Sequence, residues 1–129
     1  MAIDLKTDPP TCDQADLAEL IGVDRTTIRH YTQAGMPHMA GGRGKKNCYI
    51  IPVCINWVAG YQAARENGLP MMSPLELILF GYTTAFQNAS FQEYRSEATG
   101  IAATAGASDR EFDEAVGFLR GAKLLPRPR

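Results

Sequence analysis

The stretch Leu17-Ala18-Glu19-Leu20-Ile21-Gly22-Val23-Asp24-Arg25-Thr26-Thr27-Ile28 decides how this chain is read. Apolar residues at helical spacing run up to Ile21. Gly22 can then take the left-handed conformation that closes a helix, Val23 offers an apolar contact, and the Asp24 side chain can cap a new helix. Two helices separated by three residues form a helix-turn-helix, which needs a small residue where the helices cross, a turn glycine and apolar anchors on the second helix. Ala18, Gly22, Ile28 and Tyr31 stand at those positions.

Working upstream, Thr11-x-x-Gln14 matches a capping box, with Ala15, Leu17, Ala18 and Ile21 as one apolar face, which predicts a helix over about 13 to 21. Downstream, winding residues 24 to 34 at about 100° per residue puts Ile28, Tyr31 and Thr32 on one side. Thr26, Arg29, His30 and Gln33 fall on the other. Gly35-Met36-Pro37 stops this helix, since glycine accepts a left-handed cap and proline cannot continue the hydrogen-bond ladder.

Next, the tip Gly41-Gly42-Arg43-Gly44-Lys45-Lys46-Asn47 separates Met39 from the β-prone Cys48-Tyr49-Ile50-Ile51, which predicts a two-stranded ribbon with a basic tip, a wing. Pro52 suits the first position of a helix whose stripe is Val53, Cys54, Trp57, Val58 and Tyr61. The predicted fold class is mainly α with a small β-hairpin wing. Residues 1–64 are expected to form a winged helix-turn-helix DNA-binding domain, 65–73 a linker marked by Gly68, Pro70 and Ser73, and 74–129 a helical region for oligomerisation and partner binding.

In that second region Ser73-Pro74-Leu75-Glu76 combines an N-cap, a first-position proline and a capping-box glutamate. Leu75, Ile78, Leu79, Tyr82 and Phe86 follow at helical spacing, and Leu77 and Phe80 widen the apolar surface beyond one stripe. So broad a surface predicts self-association through those five residues. Gly100 to Ser108 reads as a loop of small residues. Ser108-x-x-Glu111 then caps a last helix carrying Phe112, Ala115, Val116 and Leu119, which Gly121 ends. The basic tail from Lys123 to Arg129, with two leucines expected to be exposed, reads as an interaction segment.

The 129 residues, 45% of them hydrophobic, suffice for one ordinary core or two small ones and rule out a large multi-domain enzyme. The net charge of -1 conceals a polarised layout. Asp4, Asp8, Asp13, Asp16, Glu19 and Asp24 face only Lys6 in the first 24 residues. Arg25, Arg29, Arg43, Lys45, Lys46 and Arg65 then occur with no acid before Glu66. A stretch of uncompensated positive charge fits a polyanionic partner. A solvated face on a protein-binding module is the plainer alternative, and the helix-turn-helix and wing beneath the charge favour double-stranded DNA.

On that reading Arg25, Thr26, Arg29, His30 and Gln33 reach base edges or phosphates in the major groove, where arginine can pair with guanine and glutamine with adenine. Arg43, Lys45 and Lys46 on the tip reach phosphates or the minor groove. A nucleotide-binding P-loop would need Gly at position 39 and Ser or Thr at 46, where Met39 and Lys46 stand. Cys12, Cys48, Cys54, His30 and His38 fit no zinc-finger spacing, so no metal and no cofactor are expected. No arrangement of nucleophile and base stands out, and no catalytic role is expected. The longest strongly apolar run, Leu77 to Phe80, is far too short to span a membrane. With no basic, apolar leader in the first residues, the chain is expected to be soluble and cytoplasmic, with no membrane partner.

The Leu17–Ile28 stretch, then Gly35-Met36-Pro37, then the glycine-rich tip through Lys45 and Tyr49, resembles the lambda-like bacteriophage terminase small subunit over about residues 11 to 64. The resemblance implies a non-enzymatic subunit that binds the packaging-initiation site on viral DNA in the host cytoplasm. It further implies recruitment of the terminase large subunit, which carries the ATPase and nuclease, and homo-oligomerisation through residues 74 to 129. An excisionase-like or MerR-like DNA-binding regulator shares the short winged domain and the similar turn. A winged-helix protein adaptor without DNA binding is the alternative from another class.

Overall fold

A computed structural model describes residues 10–41, 46–85 and 91–124. Helices predominate, with one small antiparallel sheet. In chain order the elements are β1 (Thr11–Cys12), α1 (Gln14–Ile21), α2 (Arg25–Ala34), β2 (Tyr49–Ile50), α3 (Ile51–Glu66), α4 (Pro74–Ala85), α5 (Phe91–Thr104) and α6 (Asp109–Gly121).

Asp13, not Thr11, caps α1. Its backbone is extended and its carboxylate accepts the Asp16 N–H at 2.9 Å. Aspartate is as good a cap as threonine, and the two-residue shift frees Thr11 and Cys12 to pair with Ile50 and Tyr49. The expected ribbon is therefore rearranged. Tyr49 and Ile50 take β1 as their strand partner, and among the described residues the predicted hairpin is one reciprocal pair between Met39 and Cys48, at 2.8 Å in each direction.

Gly22, at φ 84°, closes α1 and Asp24 caps α2, its carboxylate accepting the Thr27 N–H at 2.9 Å. Gly35, at φ 115°, ends α2 and turns Met36 into the core. Leu17, Ala18 and Ile28 are buried between the helices as their spacing predicts. Gln14 adds a brace, its Nε2 donating to the Arg25 carbonyl at 2.9 Å.

One buried cluster runs from Leu17 in α1 through Trp57 in α3 and Ile78 in α4 to Leu119 in α6. The main contact in the fold is between α3 and α4. A Cβ added to Gly60 would overlap the Leu77 carbonyl, and one added to Gly81 would overlap the Asn56 carbonyl, so the two backbones touch. Within the stretch read as a linker, Met72 is buried and Leu69 half-buried against this core.

That packing corrects the assembly surface. Ile78, Leu79 and Tyr82 are buried inside the chain and Leu75 is half-buried; α4 packs against α3, α5 and α6. The broad apolar surface that suggested a second copy is covered from within. Phe86 lies outside the described residues.

Ser73 and Glu76 form the expected capping box, with reciprocal bonds of 2.8 and 3.2 Å, and Ser108 and Glu111 form another. Gly100 to Thr104, read as loop, is the end of α5. Its small residues pack closely, Ala98 and Ala102 being buried, and the chain turns only at Gly106, at φ 85°. Leu124 is half-buried against the core rather than exposed.

Candidate nucleic-acid interface

The position of α2 is fixed from three directions. Ile28 is fully buried beneath it. The Thr32 and Tyr49 hydroxyls lie 2.9 Å apart, joining α2 to β2. Tyr31 meets Trp57 and Tyr61 edge-on at 5.8 and 5.7 Å, and its hydroxyl accepts from Gln62 Nε2 at 3.1 Å. A helix held this way presents its opposite face in a fixed orientation.

On that opposite face Arg25, Thr26, Arg29, His30 and Gln33 are all exposed, as their spacing predicts. Arg25 and Arg29 share a depression of about 370 Å³ with Lys46, Asp13, Gln14, Ala15 and Asn47. Thr26, His30 and Gln33 lie on the same helix outside its lining. The base of the tip is closed by the Met39–Cys48 pair and by Asn47 Oδ1, which accepts the Gly41 N–H at 3.4 Å. Arg43 and Lys45 lie outside the described residues.

Sequence reading missed Asp13, Gln14 and Asn47 as members of this groove. Asp13 Oδ2 is 3.4 Å from Lys46 Nζ. Hydrogen bonding from the Asp16 N–H, with a smaller contribution from Lys46, holds the Asp13 carboxyl below its ordinary range. Asp24 is held low in the same way by the Thr27 N–H and hydroxyl. Both caps are therefore ionised at neutral pH. An N-cap signal at Asp13 instead of Thr11 would have brought that carboxylate to the mouth of the groove.

A larger depression, of about 480 Å³, opens where α4 and α6 begin. Glu76, Glu111 and Glu114 line it with no lysine or arginine, so it repels a polyanion.

Cys54 is buried and donates to the Pro37 carbonyl at 3.4 Å; burial pushes its thiol up to about 12. Burial also raises Cys12, helped by Asp16, Asp13 and Cys48. Neither thiol is thus activated as a nucleophile at neutral pH. Among the described residues no three His, Cys, Asp or Glu side chains converge as a metal site, and no helix is long and apolar enough to cross a membrane. What the groove offers is two guanidinium groups on α2 beside the Lys46 ammonium and the Gln14 and Asn47 amides, donors suited to phosphate oxygens and base acceptors.

No protein-family model and no curated protein matches the chain.

Proposed function

We propose that the chain is a sequence-reading DNA-binding protein of the winged helix-turn-helix type, with α2 as the recognition helix. The observation that carries this reading is the exposed, acid-free face of α2. Arg25 and Arg29 open there into the same groove as Lys46, while Ile28, Tyr31 and Thr32 anchor the other side. An α-helix fits the major groove, and donors projecting from its outer side meet base edges.

Within DNA binding, the resemblance of residues 11 to 64 favours a terminase small subunit. It would mark viral DNA for packaging, hand it to a large subunit that does the chemistry, and act as a homo-oligomer in the host cytoplasm. Ile78, Leu79 and Tyr82 are covered within one copy, so such an assembly would draw on surfaces that remain exposed.

The deciding experiment is binding of the full chain to random and phage end-region duplexes across a salt series. Steep salt dependence with preference for the end-region DNA supports the packaging role. Salt dependence without preference reduces the reading to a DNA-binding regulator, and no binding to any duplex favours a protein adaptor. Arg29→Ala is expected to relax sequence preference, and Lys45→Ala to weaken all duplexes alike and lower the salt slope by about one.

A further inference from the structure

The basic groove contains an acid that cannot leave it. Asp13 is the N-cap of α1; its Oδ1 is held by the Asp16 N–H at 2.9 Å, and its Oδ2 faces Lys46 Nζ at 3.4 Å. Lys46, in contrast, is a flexible side chain with 81% of its surface exposed. The carboxylate is built into the backbone of the site, and the ammonium is the movable member of the pair.

Resting on the DNA-binding reading, we infer that Asp13 is a specificity-determining residue, a fixed counter-charge that occupies Lys46 and penalises phosphate entry into the groove formed with Arg25 and Arg29. A phosphate that enters must share Lys46 with this carboxylate and lie near its charge. That penalty falls on every duplex, because the phosphate backbone is the same in all of them. Contacts to base edges from Thr26, His30 and Gln33, which lie outside the groove, do not incur it. Asp13 thus lowers affinity for arbitrary DNA and leaves recognition to the outer face of α2, so that discrimination comes partly from repulsion.

The cap and the charge can be separated, since asparagine and serine both cap helices well without a charge. Asp13→Asn and Asp13→Ser are expected to keep the helical circular dichroism and melting behaviour. Both should bind a random duplex about three- to tenfold more tightly at low salt. Their salt slope should steepen by about one, as Lys46 becomes free to neutralise a phosphate. Lys46→Ala is expected to weaken duplex binding by itself, and in that background Asp13→Asn is expected to give no gain over Lys46→Ala alone.

Wild-type chain that binds duplexes, with Asp13→Asn and Asp13→Ser indistinguishable from it, overturns the inference and leaves the DNA reading standing. A wild-type chain that binds no duplex removes both. A gain in Asp13→Asn that persists when Lys46 is alanine also overturns the inference, because the carboxylate would then act without its lysine.

Discussion

Asp24 does two things with one carboxylate: Oδ1 accepts both the N–H and the hydroxyl of Thr27, each at 2.9 Å, and so fixes the first turn of the helix that carries Arg25 and Arg29. Asp24→Ala is expected to lower the melting temperature by a few degrees and weaken DNA binding, whereas Asp24→Asn keeps the cap and most of the stability. The sign with pH follows from its depressed pKa. The stabilisation is present above the unfolded aspartate value and is lost as pH falls through the lower folded value, a loss absent in the asparagine variant. Cys54 behaves oppositely. Its folded thiol titrates at about 12 against an ordinary 9.0, so between those values the folded state holds the proton that the unfolded state releases. Stability should fall as pH rises through that window, with a slope approaching about 1.4 kcal/mol per pH unit from this group. Urea melts of wild type and Cys54→Ala over that range isolate it, and equal slopes would show that the thiol is not shielded.

Among the elements, the contact between α3 and α4 carries the sharpest expectation. A methyl at residue 81 meets the Asn56 carbonyl, backbone against backbone, so no rotamer change relieves it. Gly81→Ala should destabilise by about 1–3 kcal/mol or more. Gly100→Ala, in α5 with nothing near the added carbon, should be neutral or stabilising by up to about 1 kcal/mol. Denaturant melts in which the two variants lose equal stability would contradict the close crossing. This element scale also separates what the sequence makes legible from what it does not. α1, α2, α4 and α6 announce themselves because their ends are written in local chemistry, in Gly22, Asp24, Gly35 and the two Ser-x-x-Glu boxes. Gly60 and Gly81 are silent in the sequence, because their role is to let two distant segments touch. β1 is hidden for a related reason: Thr11 and Cys12 are a strand only because Tyr49 and Ile50 come to lie beside them. The exposed face of α2 was readable from helical periodicity, whereas the place of Asp13 in the groove depends on whether Thr11 or Asp13, two residues apart, takes the cap.

For the molecule as a whole, the question is whether residues 74 to 124 form an annex or part of the same core. Val53, Cys54, Trp57, Val58, Gly60 and Ala64 are all buried on α3, which packs chiefly on α4 and also meets β2, α5 and, through Tyr31, α2. From α4 itself Leu77, Ile78, Leu79 and Phe80 are buried. Burying one such side chain contributes about 1.5–3 kcal/mol, so the four together are comparable with the 5–15 kcal/mol by which a typical domain is stable. A chain ending at Gly68 keeps every described residue of the groove and loses that cover. It is expected to melt broadly at lower temperature, to bind a hydrophobic dye, and to hold DNA more weakly because α2 is anchored through Tyr31 to Trp57 and Tyr61. In the full chain, Ile78→Asp should have the same effect on melting rather than yield a folded monomer, since Ile78 is only 1% exposed within one copy. Calorimetry decides between the two arrangements. A fragment that unfolds in one sharp transition at the temperature of the full chain would mean that the first half is complete without α4. A broad, early transition would mean that α2 and its exposed basic face are held in place by the half of the molecule that begins at α4.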